Sequence, residues 1–309
     1  MNNFKKRMYK KETEEYNVSP YIIAKATKVF ENKQWSIDKN SDDMSINWQK
    51  RFNMYCLMLN KLEEIQQELI LELTNEYVYI SSIDYTAQLN CLLTKLYKGN
   101  YENVRKYNKV YVMPLIAPTD KALNKVKSST YLAYMFSITE LAYNEYLKDN
   151  NNKDVSFKRV EEIESLPHGI NNKDGSIIFL VDDFIGTGDT AIEALDELLK
   201  AGISKEKIIV ISLLGMDFGI EKLKNQGIQV FSSSIKYKGI TDRYKGQELE
   251  QKKEIMKSIE NNMNIKPELE FGYKGSEALV TMARTPNNTF PIFWQDDKKK
   301  GYVAPFPRR

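Results

Sequence analysis

The chain has 309 residues, 42% hydrophobic and 28% charged, enough to bury one large core or two ordinary ones. A net charge of +3 is too small to argue by itself for a polyanionic partner, and two cysteines, Cys56 and Cys91, build neither a disulfide framework nor a zinc site. Both lie in helical context and are expected as buried thiols in a reducing cytoplasm. No apolar run approaches the ~18–20 residues of a membrane span, so the chain is expected to be soluble and cytoplasmic.

Residues 1–105 read as a mainly helical N-terminal region. It opens on a basic run, Lys5, Lys6, Arg7, Lys10 and Lys11, that ends in Glu12, Glu14 and Glu15. Such a run is a solvated face or frayed end, or else an arm for nucleic acid. Periodicity predicts a helix over Tyr21–Phe30, a polar loop over Asp38–Ser45, and a helical pattern from Ile46 to Leu73. In the last, Phe52, Tyr55, Cys56, Met58, Leu59, Leu62, Ile65, Leu69 and Leu73 recur at steps of three and four. A short strand at Tyr77–Ile80 and a helix at Thr86–Tyr97 follow.

After Tyr101, strands and helices alternate, and 106–309 reads as one α/β domain with a C-terminal cap. Strands are expected at Val110–Leu115, Val155–Val160, Ile177–Val181, Lys207–Leu214 and Ile228–Ile235. Helices are expected from Ser128 to about Leu147, from about Thr190 to Lys200, and over Phe218–Asn225 and Gly246–Asn262. That order argues for a parallel sheet of about five strands, flanked by helices and joined by right-handed crossovers. Downstream, an apolar strand in Gly275–Ala283 leads into Arg284-Thr-Pro-Asn287-Asn288-Thr289 and an aromatic run.

The densest chemistry lies in 177–191. Ile177 to Val181 lack alternation, as a strand covered on both faces does, and Asp182 and Asp183 stand at its carboxyl end, where open α/β sheets place ligands. Gly186 and Gly188 permit a tight turn, while Thr187 and Thr190 bring hydroxyls to the start of a helix, which attracts phosphate. Carboxylates repel phosphate but accept hydrogen bonds from vicinal hydroxyls, so the combination suits a sugar phosphate. No lysine follows Gly188, which excludes a Walker A loop. A dinucleotide would set its pyrophosphate against two acids, and a receiver domain has no need of Gly-Thr-Gly. Acids that only cap a helix are the structural alternative.

This stretch resembles the signature of the type I phosphoribosyltransferases. The resemblance implies that Asp182 and Asp183 hold the ribose hydroxyls of phosphoribosyl pyrophosphate, with Mg²⁺ bridging ligand oxygens. Gly186, Thr187, Gly188, Asp189 and Thr190 would wrap the 5′-phosphate, although Gly186 stands where the family usually has Thr or Ser, and Asp189 adds a negative charge. Lys127, Ser128 and Ser129 would meet pyrophosphate, or only cap a helix. The polar segment 161–175 matches the family's mobile loop, and its His168 would transfer a proton or contact pyrophosphate. Arg284, Asn287 and Asn288 can read a base edge or form a structured turn. The altered loop together with the Arg284–Thr289 tail resembles phosphoribosyltransferase-like proteins of bacterial antiphage modules, including retrons, which implies protein partners in a defence complex. Either transfer chemistry or a non-catalytic nucleotide-sensing or effector module follows from these residues. DNA binding through the basic run is a third reading.

Overall fold

The computed structural model describes residues 19–35, 47–122, 127–172, 175–297 and 299–308. The basic run at 5–11 and the loop expected at 38–45 lie outside them. The chain divides into two compact units: a sheet unit from Tyr79–Lys238 and Val280–Asn288, and a helical unit from Met1–Val78, Gly239–Leu279 and Thr289–Arg309.

The sheet unit is built on β1 (Lys109–Pro114), β2 (Ser156–Arg159), β3 (Ser176–Ile185), β4 (Ile208–Met216) and β5 (Gln229–Lys236). All are parallel, in the order β2-β1-β3-β4-β5. This is the flanked five-stranded parallel sheet expected from the alternation of elements. In β4 every residue is buried, and in β3 every residue except Asp182, so neither strand alternates. The flanking helices are α1 (Tyr85–Lys98), α2 (Ser128–Met135), α3 (Asp189–Lys200) and α4 (Asp217–Lys224). On one face Leu195 and Leu198 of α3 and Leu223 of α4 join Leu180 and Val210 in a continuous core.

Two expectations change here. The helix from Ser128 ends at Met135, not near Leu147: Ser137 and the β-branched Ile138 and Thr139 are poor helix residues, Ile138 is extended, and a 3-10 turn over Thr139–Tyr143 takes over. The strand ending at Val181 in the sequence reading runs on to Ile185, because Phe184 and Ile185 pair with Leu214 and Gly215. Within 161–172, 3-10 turns form over Ile163–Ser165 and Ile170–Asn172, with Leu166 and Ile170 buried in the core.

The helical unit contains the helices Pro20–Asn32, Trp48–Leu59, Glu64–Glu76 and Gly246–Asn262. The helical stripe of 46–73 is broken between Leu59 and Glu64, where Glu63 starts a new helix by a capping box with Gln66. Aromatic rings dominate the core: Trp35 stacks on Trp48 at 4.8 Å, and Tyr77 on Phe306 at 4.7 Å. Of the apolar stretch 275–283, only Val280–Thr281 is strand. Cys56 is buried, but Cys91 is exposed, since α1 turns Leu89, Leu92, Leu93 and Leu96 inward and leaves position 91 outside. No described helix is long and apolar enough to cross a membrane.

Glu260, on the last turn of Gly246–Asn262, is almost wholly buried and accepts the Phe271 N–H on both oxygens at 3.0 Å. Burial pushes its carboxyl up to about 8, against the pull of that N–H. A raised acid stabilises the fold below its ordinary range and loses that contribution as pH climbs through the folded value. Chemical denaturation at pH 5, 6.5 and 8 should therefore show falling stability in the wild type. Glu260→Gln, which keeps an acceptor and removes the titration, should flatten the slope; equal slopes would show that Glu260 is already ionised.

Candidate functional site

The site forms where β3 leaves the sheet. Successive strand residues face opposite sides, so Asp182 and Asp183 diverge. Asp183 is buried, and protein hydroxyls take both its oxygens: Tyr85 Oη donates at 2.5 Å and Ser128 Oγ at 2.7 Å. Both donors stand at helix starts. Tyr85 opens α1, set by Asp84, whose carboxylate accepts the N–H and hydroxyl of Ser81. Ser128 opens α2. Tyr85 Oη in turn accepts the N–H of Ala283 at 2.9 Å, which brings the 280–288 segment to the acids. Tyr85 was not foreseen from the sequence. It is one of 19 tyrosines, and nothing local marks it.

Asp182 is half-buried, and its Oδ1 accepts the N–H of Asp183 at 2.9 Å. Burial raises its carboxyl well above the usual range, and the charge of Asp183 and a hydrogen bond shared with it add to the effect; the Asp183 N–H and Lys127 pull the other way. Asp182 is therefore held toward its neutral form. Burial, then the charge of Asp183, also pushes the Tyr85 phenol up, so Tyr85 stays a donor.

Gly186, Thr187 and Gly188 form the turn into α3, with Gly188 left-handed at φ 78° as the N-cap. A side chain at Gly186 would collide with the amide of Asn288, and one at Gly219 with the carbonyl of Gly186. The buried Asn288 thus puts a polar amide where a hydroxyl residue at 186 would reach. Asp189 turns its carboxylate onto its own loop: Thr187 Oγ1 donates to it at 2.7 Å and Lys222 Nζ at 2.5 Å. Thr190, also half-buried, follows in the first turn of α3.

The remaining expected residues divide. Asn287 is half-buried and Arg284 exposed, both on the segment that Ala283 ties to Tyr85. Lys127 flanks Ser128 and forms an ion pair with Asp120. Ser129 is buried, and its hydroxyl has no partner among the described residues, so the structure does not bring it to the surface of the site. His168 lies on an exposed turn, and nearby Asn171 is tied to Gly202 and Ser204, ahead of β4. That is the amino edge of the sheet, so the structure does not bring His168 to the acids. Among the described residues, no group of three or more His, Cys, Asp or Glu could hold a metal. The acid pair does not fit as a set of direct Mg²⁺ ligands, since Asp183 has both oxygens engaged and Asp182 is held toward its neutral form.

The parallel sheet, with acids and a glycine turn at the carboxyl end of its central strand, defines an α/β protein of the phosphoribosyltransferase-like class. The chain belongs to the PRTase-CE family, whose profile matches residues 46–308. Among solved structures, it is similar to orotate phosphoribosyltransferase from Aeropyrum pernix, with 15% identity over 50% of this chain and 72% of that one and a TM-score of 0.29. The corresponding enzyme from Mycobacterium tuberculosis, in complex with inorganic phosphate, gives 13%, 48%, 70% and 0.27. A hypothetical protein from Neisseria gonorrhoeae with bound ppGpp gives 17%, 59%, 97% and 0.30. At that level of similarity none of them transfers a ligand or an activity to this chain. No curated protein matches it.

Tyr85→Phe keeps the ring and strips Asp183 of a donor and Ala283 of an acceptor. Leaving such buried groups unsatisfied costs about 1–3 kcal/mol, and urea denaturation at neutral pH should show a loss of that size. An unchanged midpoint would mean that water replaces the hydroxyl.

Proposed function

We propose that this protein binds a ribose 5-phosphate ligand of the phosphoribosyl pyrophosphate class at the carboxyl end of β3. The observation that carries this is the acid pair placed directly before a Gly-Thr-Gly turn at the start of α3, in a chain of the PRTase-CE family. Asp182, with one oxygen engaged by the Asp183 N–H, takes the ribose hydroxyls. The phosphate lies against the Gly186–Thr190 turn and the first free N–H groups of α3. In the transfer reading, a base displaces pyrophosphate at C1, and the acid pair stabilises the positive charge that grows on the sugar. The base would meet the Arg284–Asn288 segment. The likeness of this turn and tail to phosphoribosyltransferase-like proteins of antiphage modules supports a role in such a module, with protein partners.

The second reading is a sensor that keeps the cradle without transfer. It is favoured by Asp189, whose carboxylate already engages Thr187 of the turn and Lys222 of α4.

Calorimetric titration with phosphoribosyl pyrophosphate and ribose 5-phosphate, alongside pyrophosphate release with each common nucleobase, separates the two. Binding is expected in both readings, and Asp182→Asn should weaken it about tenfold, equivalent to 1.4 kcal/mol. Release with one base supports transfer; binding without release supports the sensor. Affinity and turnover unchanged in Asp182→Asn/Asp183→Asn would defeat the site. Asp189→Asn, which removes the internal anion, should tighten ribose 5-phosphate binding about tenfold, and weaker binding would show that Asp189 contacts the ligand favourably.

A further inference from the structure

Among the described residues, four of the exposed large hydrophobic side chains are tyrosines within one segment: Tyr131 at 42% exposure, Tyr134 at 54%, Tyr143 at 84% and Tyr146 at 39%. Their scaffold is held firmly. Tyr131 and Tyr134 share one side of α2 at a three-residue step. The segment beyond is tied to α1 by the Asn144 amide, which donates to Asn90 Oδ1 at 2.5 Å and Thr94 Oγ1 at 2.9 Å. Cations lie over two of the rings: Lys98 stands 5.4 Å from the Tyr146 centroid, and Arg159, which also pairs with Glu161, stands 5.7 Å from that of Tyr134. The segments that frame the rings, 98–109 and 127–160, carry nine Lys or Arg against five Asp or Glu. Their balance is +4, so these segments carry a net positive charge around the rings.

Exposed rings interleaved with lysine and arginine match one class of ligand: successive flat bases joined by anionic phosphates. A double helix hides its base faces, so the rings can stack only on an open strand. We propose that this face of the sheet unit binds single-stranded nucleic acid, with bases on Tyr131, Tyr134 and Tyr143 and phosphates on Lys98 and Arg159. All of these residues belong to the sheet unit, and the inference does not depend on the ribose-phosphate reading.

Fluorescence anisotropy of a labelled oligothymidine with the full chain tests it. Binding should weaken steadily as salt rises, and an excess of unlabelled duplex should not compete. Tyr134→Ala/Tyr143→Ala should lose at least ~10-fold in affinity, while Tyr134→Phe/Tyr143→Phe, which keeps both rings, should bind as the wild type does. The rings are exposed, so circular dichroism should show all three proteins folded alike. Absence of salt-dependent binding, or equal affinity in the alanine variant, overturns the proposal. So does wild-type self-association in sedimentation that the alanine variant abolishes without any oligonucleotide binding, which would make the face a protein contact.

Discussion

One hydroxyl holds the site together. Tyr85 Oη accepts the N–H of Ala283 and donates its O–H to Asp183, so a helix start, a late loop and the central strand meet at a single oxygen. A carboxylate in the interior is costly unless its oxygens are hydrogen-bonded, and Tyr85 and Ser128 supply those bonds. With Asp183 anchored, its neighbour Asp182 becomes the member of the pair left with room for a ligand. The same link carries the 283–288 segment to the turn before α3 and sets the Asn288 amide against Gly186.

The turn is shaped by what its glycines exclude. Gly186 has no side chain because the Asn288 amide fills that space, and Gly219 has none because the backbone of Gly186 lies against it. The loop thus packs main chain on main chain, with an amide in place of a hydroxyl and an internal carboxylate drawn to Lys222.

The sheet was largely legible in the sequence, since unbroken apolar runs such as Ile208–Ile211 and Ile177–Val181 report strands covered on both sides. The Gly246–Asn262 helix was legible through its own periodicity. The acids and the glycine turn could be found because their residue types and order are chemical by themselves. Tyr85 could not, because its role depends on a partner 98 positions away and on a helix start fixed by Ser81 and Asp84. For the same reason, Ser129 read as a pyrophosphate contact although helix geometry turns it inward beside Ser128. The end of α2 at Met135 rested on weak local preferences that apolar spacing overrode.

The order of the segments also bears on biogenesis. All five strands lie between residues 109 and 236, so a ribosome delivers the whole sheet early. The peptide that clamps Tyr85 emerges only with Ala283, after the long Gly246–Asn262 helix. Until then Tyr85 and Ser128 can both donate to Asp183, but the Tyr85 oxygen lacks the Ala283 N–H, so the brace on the acid pair is incomplete. Completion of the brace around the acid pair is therefore among the final events of this chain's assembly, and a premature stop near residue 280 would leave the five-stranded sheet with that brace unfinished.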